Sequence, residues 1–470
     1  MKGRRYWSLC VLILGCVFEV QAQLPFVYVD SISLEGNRRT RTEVVFRELL
    51  FKEGDSIAIS LLEKTLEQSE QLIMNTGLFN QASIIFKNWE GSTNKVHIHV
   101  EVAEAWFIYP VPVIELIDRN FNVWWNEQNR SLDRLNFGVE FTHLNFTGRR
   151  DKFKLTAKYG YTRSYAANYS LPFFNKQQTL GFEAEVSFAR NRELNYLTVG
   201  NKQEFFRSPE NEFLYQRFRA EGALLYRPGH HLFHSFRFRY EQNRVGDIIA
   251  QEFNPDFYLG ARNMQRSFTL GYRFVYDRRD VRAYPIQGAL FITEVTKTGL
   301  GIFDDRDGMT LEANYDFFMP ISRRWSAGVR TGGKLSLIRS RQPYNDYRAV
   351  GFNQNNLYGY ELYIIDGLDM AIARPFIRHK FYERTWNFGK LMPLKAFRKM
   401  PIKMFLSANS GFGYVHDPYT RDVNPFSDRF LWGGGIGLDI VLFYDKVIQI
   451  QYSFNHLWEK GLFLHVNTNI

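Results

Sequence analysis

Cysteine is nearly missing from this chain: Cys10 and Cys16 are the only two among its 470 residues. Both fall in an N-terminal stretch that reads as a leader. Lys2, Arg4 and Arg5 make a positive start, an apolar run extends from Tyr6 to Val20, and Val20-Gln21-Ala22 offers a small-residue exit before Gln23. That layout is a secretory signal peptide over residues 1–22, too short and wrongly flanked for a spanning helix. Ile13-Leu14-Gly15-Cys16 also resembles a lipobox, but Leu14 fits it badly and the later exit is better. Once the leader is gone the chain holds no thiol, which excludes a disulfide framework, a Cys-based metal site and a thiol nucleophile. Long apolar runs are missing too. None beyond the leader reaches the roughly 18 residues that a membrane helix needs.

Acidic residues are the minority, 49 against 59 Lys and Arg, and losing Lys2, Arg4, Arg5 and Glu19 with the leader takes the formal charge from +10 to +8. Nucleic-acid binding is the reflex reading of such a balance, but an exported protein meets no nucleic acid routinely. Basic side chains facing a hydrated lumen, or the head groups of outer-membrane lipids, account for it. What the chain has in abundance is aromatics: 43 Phe, 26 Tyr and 9 Trp, beside 23% charged residues. The mean hydropathy is nevertheless negative. Many rings, many charges and no long apolar run imply strands with one greasy and one wet face, as in a transmembrane barrel.

Residues 24–103 read as a small α/β module. Ile32 and Leu34 alternate with Ser33 and Glu35 in a strand that ends at Gly36-Asn37. Thr40 and Glu43 have the spacing of a capping box, as do Ser60 and Glu63, so each pair is expected to start a helix. Leu62, Leu66, Ser69 and Ile73 share one face of the second helix, which Gly77 stops. Two strands follow near 82–86 and 96–102, giving the order β-α-α-β-β. His97 and His99, alternating with Val96, Ile98 and Val100, are expected on an exposed strand face.

From residue 104 to 470 the helical period is gone. Phe236, Phe238 and Tyr240 alternate with Arg237, Arg239 and Glu241, and Phe268, Leu270, Tyr272, Phe274 and Tyr276 keep the same period. An arginine between two phenylalanines is unwelcome in a soluble core, but in a barrel it points into a wet lumen. Strand starts fall near 105, 134, 151, 165, 178, 212, 231, 264, 287, 309, 324, 366, 401, 429, 446 and 461, an even set of sixteen as barrel closure requires. Short connections such as 227–230, 322–323 and 444–446 alternate with long ones near 119–133, 192–211, 243–263 and 339–365. The short set belongs to the periplasmic rim and the long set to the outer face. The basic, Pro-containing connection 383–400 breaks that rule, being long on the short side. Gly433-Gly434-Gly435 with Gly437 lies inside one late strand and marks a bend or a close approach, since no helix follows to make a phosphate cradle.

At this point the residues resemble a family. A β-α-α-β-β module ahead of a sixteen-stranded barrel is similar to the BamA/TamA superfamily of outer-membrane assembly and translocation proteins, with one polypeptide-transport-associated (POTRA) domain. The module's matching residues are Gly36-Asn37-Arg38-Arg39-Thr40, the Arg47-Glu48-Leu49 helix, Gly54-Asp55 and Asn75-Thr76-Gly77-Leu78-Phe79. In the barrel, Asp277-Arg278-Arg279-Asp280 before Tyr284-Pro285-Ile286-Gln287-Gly288 resembles the family's acidic strand end and turn. The family's sixth outer loop carries Arg-Gly-Phe/Tyr and folds back into the lumen. Here Leu357-Tyr358-Gly359-Tyr360 takes that place, with Tyr358 where the family has arginine. The acidic partner is also replaced, by Asn409 ahead of Ser410-Gly411. Losing both charges together avoids one unpaired buried ion, and Tyr358 and Asn409 are expected to meet through a neutral hydrogen bond.

The resemblance implies unfolded outer-membrane or secreted polypeptides as clients, received by β-augmentation on the module's sheet edge. The barrel would add either a seam between its first and last strands, Trp106–Glu115 against Leu462–Ile470, or a lumen gated by the sixth loop. No cofactor is implied. Two rival readings are a passive porin and an accessory or structural subunit of a larger outer-membrane complex. An enzyme is disfavoured. His230, His231 and His234 lack Cys or acidic neighbours at ligand spacing and are expected to flank a turn. Asp304-Asp305-Arg306-Asp307 reads as a solvated acidic turn before a calcium site, and Asp277 with Asp280 as a strand-end ion-pair site before an acid/base pair.

Overall fold

The computed structural model describes residues 26–468 apart from 91–92, 119–120, 176, 304, 353–354, 390–397 and 443–445. The leader, Asp304 and Ile470 lie outside the described residues. The N-terminal module runs β1 (Phe26–Glu35), α1 (Thr42–Phe46), β2 (Ser56–Ala58), α2 (Ile59–Met74), β3 (Phe79–Glu90) and β4 (Lys95–Glu104). Its sheet order is β2-β1-β4-β3, with β1 and β4 parallel. Val27 and Val29 of β1 and Val96, Ile98 and Val100 of β4 turn inward beneath Leu62, Leu66 and Ile73 of α2. The apolar period of α2 thus selects its buried face, Ser69 included, as the spacing predicted.

Three readings of the module change. A short strand, β2, stands between the helices and adds an element to the expected β-α-α-β-β order. Neither capping box forms: α1 begins after Arg41 and α2 after Ala58, both without a side-chain cap. Thr40 is drawn elsewhere, its N–H and hydroxyl both donating to Glu104 Oε1 at 2.7 Å. His97 and His99 are not freely exposed. Ser33 Oγ lies 2.8 Å from His97 Nε2 and 2.7 Å from His99 Nδ1, and the His99 residue is only 9% exposed.

Three residues, Ala105 to Phe107, join the module to the barrel. The chain then runs β5 (Ile108–Leu116), α3 (Phe121–Asn126), β6 (Leu135–Leu144), β7 (Lys152–Gly160), β8 (Thr162–Leu171) and β9 (Leu180–Asn191). A hairpin of β10 (Glu193–Val199) and β11 (Lys202–Arg207) follows, then β12 (Tyr215–Tyr226), β13 (Leu232–Val245), β14 (Met264–Asp277) and β15 (Gly288–Thr298). Next come β16 (Gly308–Pro320), β17 (Trp325–Ser336), the short pair β18 (Arg348–Val350) and β19 (Ile365–Asp366), and β20 (Asp369–Asn387). The chain ends with β21 (Lys399–His416), β22 (Phe430–Val441), β23 (Lys446–Asn455) and β24 (Lys460–Thr468). Sixteen of these strands form one antiparallel sheet ordered from β5 to β24, each paired with its neighbour in sequence once β10, β11, β18 and β19 are set aside.

The alternation in the sequence becomes the two faces of the wall. Phe236 and Phe238 of β13 are 53% and 49% exposed on the outside, the bilayer side of a barrel. Arg237 between them turns inward and meets Glu221 at 2.7 Å and Glu294 at 3.3 Å. Of the irregular connection 383–400, residues 390–397 lie outside the described residues, while 383–387 and 399–400 are strand and not loop. β20 and β21 continue past the neighbouring strands as a paired ribbon that reaches Asn387 opposite Lys399, after one register shift between Lys380 and Tyr382.

Candidate functional site

The module sits directly on one rim of the barrel, and a buried carboxylate pins it there. Glu48, just after α1, is 2% exposed. Its oxygens receive Arg227 Nη1 at 2.7 Å, Arg227 Nη2 at 2.9 Å and Arg150 Nη1 at 3.2 Å, both arginines coming from turns of the barrel. Burial alone would push this carboxyl up, but the Arg227 hydrogen bonds and the charges of Arg227, Arg150 and His230 outweigh it and hold it at about 2. Neutral contacts flank the pair. Asn145 Nδ2 donates to Thr40 Oγ1 at 2.9 Å, the Arg41 N–H to the Gly148 carbonyl at 2.9 Å, and Arg47 Nε to the Gln178 carbonyl at 3.1 Å. Phe107 of the connector and Phe173 of the barrel complete the module's apolar core.

The remaining module residues singled out in the sequence shape this seat or the turns behind it. Gly36 has φ +95°, and a Cβ there would stand 1.8 Å from the Val102 carbonyl oxygen, so only glycine fits. Asn37 Nδ2 closes the same corner on the Thr40 carbonyl at 3.0 Å. The Gly54 N–H donates to the Val29 carbonyl and Asp55 accepts from the Lys52 N–H, each at 2.9 Å. Gly77, at φ +74°, ends α2, and Leu78 and Phe79 behind it are buried.

On the same rim, Asp277 accepts both Arg279 Nε at 2.8 Å and Arg279 Nη2 at 2.9 Å, with Arg282 Nε at 3.2 Å. Asp280 accepts the Ile286 N–H at 3.1 Å, while the Arg278 N–H donates to the Ala289 carbonyl at 2.8 Å. The motif is therefore a turn clasp made of ion pairs. It delivers Tyr284 into the lumen, where the phenol donates to buried Asp439 at 2.6 Å and Arg378 stacks over the ring at 4.1 Å. The three histidines near 230 serve the rim separately. His230 Nε2 meets the Arg47 carbonyl at 2.9 Å, His231 Nδ1 the Asp277 carbonyl at 2.9 Å, and His234 Nδ1 the Tyr272 hydroxyl at 2.9 Å.

The sixth loop of the opposite rim enters the lumen and presses its motif against the inner wall. Leu357 and Tyr360 are 1% exposed and join Val350, Ile365, Ile372, Val415 and Leu431 in one apolar cluster. Gly359 has φ +82°, and a Cβ on it would lie 2.3 Å from the Phe454 carbonyl. Gly411 and Gly433 make room for the loop from the wall: their Cβ atoms would meet Leu357 Cδ1 at 2.8 Å and the Tyr358 carbonyl oxygen at 2.0 Å. The glycine-rich stretch of β22 is thus a close approach, and the backbone that approaches is the sixth loop.

The expected hydrogen bond between Tyr358 and Asn409 does not form. Asn409 Nδ2 donates to Ser407 Oγ at 3.1 Å, and Tyr358 lies instead in the field of Arg374 and Arg378 on the wall. A neutral tyrosine at 358 needs no carboxylate at 409 to balance it, so the two missing charges go together. Sequence reasoning missed these arginines because nothing in a single strand says which loop will cover it.

Far-rim loops are stitched together over the lumen. Asn201, at the tip of the β10–β11 hairpin, donates through Nδ2 to the Ile364 carbonyl at 3.1 Å and accepts the Phe426 N–H at 2.9 Å. Thr198 Oγ1 donates to Asp366 at 2.7 Å, and Asn424 Nδ2 to the Thr198 carbonyl at 3.2 Å. Beneath this roof lies a cavity of about 700 Å³ lined by Arg134, Arg219, Glu241, Arg306, Asp346 and Lys334 among others. Several of its charges are matched in pairs, among them Arg134 with Asp118 at 2.8 Å and Arg219 with Glu241 at 2.9 Å. At the acidic turn, Asp305 accepts the Arg266 N–H at 2.7 Å, and Asp307 pairs with Lys297.

The wall has one break. Among the described residues no backbone pairing joins β5 to β24. One side chain reaches the free edge of β24: Asn122 Nδ2 of α3 donates to the Leu462 carbonyl at 2.6 Å.

Residues 27–105 match the POTRA family model, described as a surface antigen variable number repeat, and residues 145–367 match the Omp85 superfamily domain. No curated protein matches the chain in sequence. Among solved structures, BamA from Haemophilus ducreyi lacking POTRA domains 1–3 superposes with a TM-score of 0.53 at 14% identity, over 94% of this chain and 84% of that one. CdiB from Escherichia coli aligns at a TM-score of 0.49 and 10% identity, over 97% of this chain and 93% of that one. The chain carries a POTRA domain ahead of a sixteen-stranded barrel and belongs to the Omp85 superfamily.

Proposed function

We propose that this protein handles polypeptides at the outer membrane: the POTRA domain, in the periplasm, receives an unfolded client, and the barrel inserts it or passes it on. Omp85 proteins are outer-membrane assembly and translocation factors, and they act without catalysis. The observation that carries the reading is the unpaired junction of β5 and β24. In the apolar layer of a membrane, backbone N–H and C=O groups need partners, so spanning barrels are normally closed. A wall left open along one pair of edges is suited to a strand-shaped partner. The outer edge of the POTRA sheet, β3, offers a second such surface, with Ile85 and Phe86 exposed along it.

A passive porin fits less well. The Asn201-centred roof and the inserted sixth loop stand across the path a diffusing solute would take. An accessory subunit of a larger complex draws support from Tyr358 in place of the family arginine and from the firmly seated POTRA domain. Depleting the protein and quantifying the outer-membrane proteome separates these readings. A broad fall in other barrels, with periplasmic stress, is the outcome expected of an assembly factor. Loss of one or two exported proteins would mark a dedicated transporter or an accessory subunit, and an unchanged proteome would overturn the proposal.

A further inference from the structure

The two edges at the seam are not equivalent, and two prolines make the difference. β5 reads Ile108-Tyr109-Pro110-Val111-Pro112-Val113-Ile114-Glu115-Leu116. Its register against β6 sets Ile108 opposite His143 and Leu116 opposite Leu135. Just beyond either end, the Leu144 N–H donates to the Phe107 carbonyl at 2.7 Å and the Ile117 N–H to the Arg134 carbonyl at 3.1 Å. In an antiparallel ladder, alternate residues point their backbone groups to the same side. Odd-numbered residues of β5 therefore bond to β6, and even-numbered ones face the seam. Pro110 and Pro112 both occupy seam-facing positions, where proline has no N–H to give. The neighbouring seam-facing carbonyl, Ile108, is already taken by the Trp106 indole N–H. On its half nearest the POTRA domain, β5 thus presents an edge that cannot complete a ladder.

β24 is the opposite case. The Asn455 N–H donates to the Glu459 carbonyl at 3.0 Å, and the β23–β24 register continues from there with Phe454 opposite Lys460. Odd-numbered residues of β24 are bonded to β23, so Leu462, Leu464 and Val466 turn their backbone groups to the seam. No proline interrupts them. The Asn122 amide on the Leu462 carbonyl agrees with this parity and supplies one of the donors that a neighbouring strand would bring. Leu462 and Leu464 put exposed side chains on the outer face.

We propose that the β24 edge, and not the β5 edge, captures the client, as an extended polypeptide strand that adds antiparallel beside Leu464. This inference rests on the polypeptide-handling reading above and deepens it. The occupant is a polypeptide because the edge demands alternating main-chain donors and acceptors. Lipid tails supply neither, and β5 lacks two of the donors. The prolines keep the barrel from sealing itself, which leaves the complete edge free for a client.

The test uses the full mature protein in liposomes, with a photocrosslinking residue at Leu464, at Ile114 of β5 or at Ile85 of the POTRA edge. A urea-unfolded copy of this chain, diluted onto the liposomes, serves as the probe. Crosslinks to the probe at Leu464 exceeding those at Ile114 by fivefold or more are expected. In Pro110→Val/Pro112→Val, which restores both donors, the difference should shrink to less than twofold, either through pairing of the probe with β5 or through closure of the seam. Equal crosslinking at both edges of the unaltered seam, or a preference for Ile114, overturns the edge assignment and leaves polypeptide handling intact. So do crosslinks at Ile85 alone, because the client then never reaches the seam. A homodimer crosslinked through Leu464 without probe also overturns it, the edge being closed by a second copy. No crosslinks at any position would remove both this inference and the reading beneath it.

Discussion

Replacing Glu48 by alanine should loosen the POTRA domain from the barrel without unfolding either part. Among the described residues Glu48 is the one acidic side chain paired with Arg150 and Arg227 across the junction, and it makes three charge-assisted hydrogen bonds to them. Removing one partner of a buried ion pair typically costs about 3–5 kcal/mol, because the other charge is left without a partner. Arg150 and Arg227 keep 19% and 12% of their side-chain surface exposed and can recover some hydration. The lower figure of about 2–3 kcal/mol is therefore the better estimate, or roughly a 30- to 140-fold shift in the docking equilibrium at 1.4 kcal/mol per tenfold. Hydrogen exchange reads this directly at the Arg41 amide, whose bond to the Gly148 carbonyl crosses the junction. Exchange there should accelerate by that factor, while the amides of β4 inside the domain keep their protection. Unchanged exchange at Arg41 would refute the role given to Glu48. An equal loss of protection throughout the domain would show that Glu48 supports the domain's own fold and not its docking.

Acid should loosen the same junction in two stages. Burial holds the His230 imidazole below its ordinary value, so its contribution is lost as pH falls below about 6.5. Glu48, held at about 2, keeps its contribution down to the ordinary glutamate range and loses it as pH falls from about 4.5 toward 2. Spin-label distances between Lys64 and Arg323, at sites made cysteine, should stay narrow at pH 7 and broaden below those points; a distribution constant from pH 7 to 3 would contradict both. Gly359→Ala should destabilise the barrel by at least about 2 kcal/mol, through a positive φ and a Cβ only 2.3 Å from the Phe454 carbonyl. Leu357→Ala should cost about 2–5 kcal/mol as a core truncation, and thermal unfolding followed by heat-modifiable gel migration checks both. Asn201→Ala removes the central stitch of the far-side roof and should raise conductance in planar bilayers, whereas wild-type conductance would mean that the sixth loop alone closes the lumen.

The sixteen strands were legible because lipid outside and water inside force a two-residue period on every one of them. Phe236-Arg237-Phe238 has no other comfortable home. The ribbon extending β20 and β21 was not legible, since Glu383 to Asn387 and Lys399 to Ile402 lie beyond the neighbouring strands and keep no simple alternation. The β10–β11 hairpin was hidden for a similar reason: it packs against other loops, as Leu194 does against Leu214 and Val245, and so lacks a bilayer-facing side. Thr40 misled because a capping box is a local rule, whereas Glu104 and Asn145, far away in sequence, claim its side chain. At the candidate site, Gly433-Gly434-Gly435 announced a bend or a close approach, but which backbone approaches is a tertiary fact. Pro110 and Pro112 stood in plain view in the sequence. Their meaning depends on whether even or odd residues face the seam, and only the register with β6 decides that.

The central claim is that a client uses the seam between β5 and β24. Ile114 and Leu464 stand on opposite sides of it, and outside residues 1–22 the chain has no cysteine. Placing cysteines at both positions and bridging them with a short bis-maleimide in cells depleted of the native protein tests that claim most directly. The account predicts that the bridged protein fails to restore the outer-membrane proteome, while either single-cysteine protein given the same reagent succeeds. Full restoration by the bridged protein would contradict it and move the client's path into the lumen.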